Sequence, residues 1–104
     1  MKDQAAARDA LLSRRLALVA NISALTAEAL RLAQKRTGIE MDVLRLELEI
    51  TRSGGSAQLV QDLHEAEESV AAIEHERKEC EERIIAVEGE VEDVDRALAA
   101  TDGN

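Results

Sequence analysis

The chain has 104 residues, a formal net charge of −9, and no Pro, Trp, Tyr or Phe. Its content of Ala, Leu, Ile, Val, Glu and Arg excludes sandwiches and α/β folds, which need β-branched and aromatic clusters between turn residues, and points to long helices. A compact core of this size is marginal unaided, and the negative charge excludes phosphate backbones as partners, so self-association or a protein partner is expected and nucleic acid is not.

The N-terminal stretch "MKDQAAARDALLSRR" carries charge too often for a signal-peptide core, and no uninterrupted run of about 18 apolar residues follows it. A soluble, cytoplasmic protein without a membrane partner is expected. The single Cys80 has no internal disulfide partner, which suits a reducing compartment.

From residue 11 onward, apolar residues step by four and three: Leu11, Leu18, Leu25, Leu32, Ile39 and Leu46 at d, with Arg15, Ile22, Ala29, Arg36, Val43 and Ile50 at a. The pattern predicts a first helix over about 4–51. Beside that seam lies a flank of Leu12, Leu16, Val19, Leu30, Ala33, Leu44 and Leu48, more apolar surface than one stripe requires. The flank is expected to take a further helix, so Leu12, Leu16, Val19, Leu30, Leu44 and Leu48 are the candidate partner-binding residues. Thr37 and Gly38 offer a rival reading, in which the first helix breaks in two and the chain makes a three-helix bundle. The seam crosses Gly38 without a change of phase, and a lone helical Gly costs only about 1 kcal/mol.

"TRSGGSAQ" then interrupts the pattern, and a loop over 52–57 is predicted there. Continuing the first seam through it buries Glu67, Glu74, Glu81 and Glu88, whereas a fresh seam at Leu59, Leu63, Ala66, Val70, Ile73, Arg77, Cys80, Ile84, Val87, Val91, Val94 and Leu98 is apolar almost throughout. The phase shift marks a reversal. A second helix over about 58–101 folds back, so that facing residues have numbers adding to 109 and every a meets a d. Residues 1–50 carry eight basic and seven acidic side chains, while 57–104 carry four and fifteen, so a balanced arm lies beside a strongly negative one. Glu28 opposite Arg83 and Lys35 opposite Glu76 favour this pairing, although Glu49 near Asp62 does not, whereas parallel pairing of the second helix sets Asp62 against Glu67, Glu76 against Glu81 and Glu90 against Asp95, with only Arg83 and Glu88 attracting.

The expected fold is all-α, an antiparallel helical hairpin or coiled coil in one domain over 1–104, dimerising into a helical bundle. Arg36 and Arg77 fall in neighbouring layers of the seam and form a candidate polar node that specifies register, or stems that cover the seam while their guanidiniums reach Glu40, Glu74 or Glu81. His64 with Glu68 and His75 with Glu79 share helical faces, but two ligands without a third make a poor metal site, and no metal or other cofactor is expected. Cys80 at d reads as a small core residue. "SGGS" is not preceded by a strand or followed by Gly-Lys-Ser, so it is no phosphate loop. No nucleophile has a histidine base within a plausible constellation, so neither an enzyme nor a small-molecule substrate is expected.

These features predict a structural or interaction protein, a homodimeric coiled-coil adaptor or spacer in a larger assembly such as a cytoskeletal one. Two alternatives stand beside it. One is a small helical chaperone-like module that holds a partner subunit, as a tubulin-binding co-chaperone does, although no motif here matches such a protein. The other is a fragment of a longer coiled-coil protein.

Overall fold

A computed structural model describes residues 2–102, leaving Met1, Gly103 and Asn104, and so both ends of the expected domain, outside the described part. The described chain is two helices, α1 over Lys2–Ser53 (52 residues) and α2 over Ala57–Asp102 (46 residues), folded as an antiparallel helical hairpin. Gly38 does not break α1. Its position is open, with no atom within 4 Å of where a Cβ would lie, so the helix passes through it at the propensity cost alone.

The reversal is shorter than the expected 52–57. Only residues 54–56 lie outside the helices, because each helix end is closed by a local device. Gly54 and Gly55 take left-handed conformations, with φ of 82° and 75°. The Gly54 N–H donates to the Ile50 carbonyl at 2.9 Å, the single bond that closes a helix whose first residue past the end is left-handed. Ser56 opens α2 as its N-cap, its hydroxyl accepting from the Leu59 N–H at 3.1 Å while its carbonyl accepts from Val60 at 3.1 Å. Capping extends both helices into what propensity alone assigns to the loop.

The described residues divide into two compact units. In the unit of residues 2–27 and 80–102, Leu18, Val87 and Val94 are buried together, with Leu11, Ile22, Leu25, Val91 and Leu98 packed around them. Arg15 bonds Asp95 at 2.7 Å and Arg14 bonds Glu90 at 3.1 Å, while Arg8 bonds Asp102. The pairs of Arg15 and Arg8 have numbers adding to 110, one residue from the expected register. Cys80 is buried and free, and its Sγ donates to the Leu25 carbonyl at 3.2 Å.

In the unit Glu28–Glu79, Leu32, Leu46 and Ile73 are buried, Leu32 to 2% exposure. Across both units every buried residue stands at d: Leu18, Leu32, Leu46, Ile73, Cys80, Val87 and Val94. Residues at a are no better than half-buried, among them Val43 and Val70. Two helices close over d, but a lies toward the side bearing the e positions, and no third helix of the described chain covers that side. This asymmetry explains how Arg15, Arg36 and Arg77 occupy a positions without burial of a bare charge: each guanidinium escapes along the open edge to an acidic partner.

Candidate functional site

Two features remain after the seam is satisfied, an ionic cluster at Glu74 and an exposed apolar row on α1. Arg36 bonds Glu40 on its own helix at 2.5 Å and reaches Glu74 on α2, and Arg77 bonds the same Glu74 at 2.5 Å. Both arginines of the expected polar node therefore converge on one carboxylate at the rim of the seam. Glu74 is held below the usual carboxylate range, chiefly by the Arg77 hydrogen bond. Desolvation works against this, while the charges of Arg36, Arg77 and Lys78 add to it.

Other flanking charges settle locally. Glu28, expected opposite Arg83, takes hydrogen bonds instead from Nε and Nη2 of Arg31, at 3.0 and 2.6 Å, a partner three residues along the same helix. Those bonds pull the Glu28 carboxyl below its ordinary range against desolvation, with a smaller Coulombic contribution from Arg31. They raise the Arg31 guanidinium, to which Glu76 of α2 adds a smaller attraction. Hydrogen bonding to Asp95 likewise raises Arg15. His64 pairs with Glu68 at 3.0 Å and His75 with Glu79 at 2.7 Å, each along one exposed face. Among the described residues, no group of three His, Cys, Asp or Glu side chains is arranged to hold a metal ion.

The apolar row is the larger feature. In the unit of residues 2–27 and 80–102, Leu12, Leu16 and Val19 are exposed on α1, along with Ile85 on α2. In the unit Glu28–Glu79, Leu30, Met41, Leu44 and Leu48 are exposed on α1, along with Val60 on α2. The α1 exposures run from 37% at Val19 to 73% at Leu16. All six candidate partner-binding leucines and valine are thus on the surface, and Met41 joins them. Met41, which precedes Leu48 by one heptad, is not among the residues that the sequence analysis selects. Unpartnered side chains of this class each leave roughly 1.5–3 kcal/mol of burial unrealised.

Within Glu28–Glu79 the open edge forms a groove of about 350 Å³ floored by Val43, Leu44 and Val70 and rimmed by Glu40 and Glu67. The opposite edge is lined by Asp42, Arg45, Asp62, Glu65 and Ser69 beside Ile39, Leu46, Leu59 and Ala66. One side of this unit is therefore mostly apolar and the other mixed.

Part of α1 is also apolar on average. An 18-residue window of the helix reaches a mean hydropathy of 1.4 with 11% of it buried, which meets a bilayer crossing by length and composition. No unbroken apolar run exists there, since Asn21, Glu28 and Arg31 interrupt it. No protein-family model, curated protein or solved structure matches this chain, so the geometry alone carries its functional reading.

Proposed function

We propose that this chain is a structural or interaction protein, a helical hairpin that serves as an adaptor or spacer in a larger cytoplasmic assembly and binds through the exposed apolar row of α1. The observation that carries the reading is the set of leucines at 12, 16, 30, 44 and 48, all exposed on a helix whose buried stripe is already satisfied by α2. A lone buried thiol fits the reducing compartment. The acidic charge, concentrated on α2, keeps a chain with such a face in solution.

The test combines sedimentation with binding of an apolar-surface dye, on the natural chain and on an L16E/L44E variant. Association or dye uptake that the double substitution abolishes supports the proposal. A monodisperse monomer at high micromolar concentration that takes up no dye overturns it.

A second reading is favoured by the groove at Val43, Leu44 and Val70. Its carboxylate rim at Glu40 and Glu67 suits a foreign amphipathic helix with basic flanks, as a small chaperone-like holding module requires. Client helix that dissolves self-association favours holding, and an oligomer that persists with client bound favours the scaffold.

A further inference from the structure

The exposed large apolar residues of α1 are seven, Leu12, Leu16, Val19, Leu30, Met41, Leu44 and Leu48, and as a set they are mirror-symmetric about Leu30. Counting outward from Leu30 in either direction meets an exposed apolar residue at 11, 14 and 18 residues: Val19 and Met41, Leu16 and Leu44, Leu12 and Leu48. The positions at seven residues are Ser23 and Thr37, both exposed and small. On an ideal helix turning about 100° per residue, all seven apolar residues lie within about 40° of one line through Leu30.

From this symmetry we infer that α1 pairs antiparallel with α1 of a second copy of this chain, about a two-fold axis passing beside Leu30. The inference rests on the reading of the α1 row as an interaction surface and names its occupant. A two-fold interface is isologous, so residue i must meet j while j meets i. When the two helices run in opposite directions, this requires a pattern that reads the same from both ends. A parallel two-fold pair makes no such demand, and neither does an unrelated partner. In the antiparallel pair Leu30 meets Leu30 of the second copy. Leu16 meets Leu44, Val19 meets Met41, Leu12 meets Leu48 and Ser23 meets Thr37, each contact occurring twice. Every exposed large apolar side chain of α1 finds an apolar partner, and none is left over.

Charge is mixed: Arg8 falls at the level of Arg52 of the second copy, although Asp102 and Glu49 already bond these two arginines. Asp9 falls at the level of Thr51 of the second copy, one residue from Arg52 and on the same side of the contact, an attraction repeated at the other end. The exposed Glu40 and Glu47 fall at the levels of the uncharged Ala20 and Ser13.

Cysteine cross-linking in a C80A background tests the pairing, because no other thiol is present. L16C and L44C chains are mixed and treated with a short bis-maleimide, beside each chain alone and L30C alone. The inference expects L30C to link to itself and L16C to link to L44C, with neither L16C nor L44C linking to its own kind, since like positions lie about 40 Å apart along the pair. It also expects L30E, which sets two carboxylates at the axis, to raise the dimer dissociation constant by roughly a hundredfold with helicity unchanged. Self-linking of L16C and of L44C without the mixed product overturns the antiparallel pairing. A monomer by sedimentation that still binds apolar dye through α1 overturns the self-pairing and leaves the interaction-surface reading standing. A monomer that binds no dye overturns both.

Discussion

Arg36 on α1 is bonded to Glu74 on α2, so a cation standing in a hydrophobic seam position is neutralised by a carboxylate at the seam's edge. Arg77 reaches the same carboxylate, and the three side chains span both helices with neither arginine fully dehydrated. The cluster has a cost of its own, since each arginine displaces an apolar side chain at a. Replacing Arg36 or Arg77 with Leu is therefore expected to leave the melting temperature unchanged or higher, because exposed ion pairs contribute little and the new side chain packs. The sensitive quantity is pairing. Sedimentation is expected to show altered mass in R36L and R77L, and unchanged mass in both removes their role in specifying register.

Glu74 also gives the hairpin a defined response to acid. Its folded-state pKa is depressed, so its contribution is fully present above the ordinary glutamate value of about 4.3 and is lost as pH falls through the lower folded value. E74Q is expected to melt below the natural chain at neutral pH, with the difference closing in acid below the ordinary glutamate range. Relief of repulsion among the other α2 carboxylates affects both proteins alike, so the difference between their thermal scans isolates Glu74. A gap that is constant with pH contradicts the assignment.

Two neighbouring leucines separate folding from association. Leu32 is buried to 2% exposure and Leu30 is 60% exposed. L32A is expected to destabilise the fold by about 2–5 kcal/mol in denaturant unfolding, as lost transfer energy plus a cavity. L30A is expected to weaken association while leaving the unfolding of dilute, monomeric protein within about 0.5 kcal/mol of the natural chain.

The glycines divide in the same manner. A Cβ on Gly55 lies 3.1 Å from the Ile50 Cγ2 and on a left-handed backbone, so G55A is expected to lower stability by about 1–2 kcal/mol. Gly38 lies in open space within α1, and G38A is expected to raise stability by about 1 kcal/mol. Opposite signs in chemical denaturation check the contrast.

Much of the fold was legible because a seam of twelve positions in each half leaves few alternatives. The phase shift at Ser53 to Ser56 located the reversal, and acidic residues at Glu67, Glu74, Glu81 and Glu88 excluded a straight continuation. The confinement of burial to d positions was hidden, because heptad spacing treats a and d as equals until a particular side of the seam is left uncovered. Glu28 illustrates a second limit. Register places Arg83 opposite it, but the choice between a cross-helix partner and Arg31 depends on side-chain reach, which spacing does not encode. The apolar flank was readable as a surplus of leucines. Its symmetry emerged only when exposure placed Met41 with the leucines on the surface.

Three residues join the helices, with Gly54 ending one and Ser56 starting the other, and this leaves the turn no slack. A heptad inserted into one arm alone keeps the a and d phase, but every layer beyond it must take a new mate one heptad along, because the bend cannot absorb the extra turns. Each layer keeps its own mate only through paired changes, one heptad in each arm at matching distances from the bend.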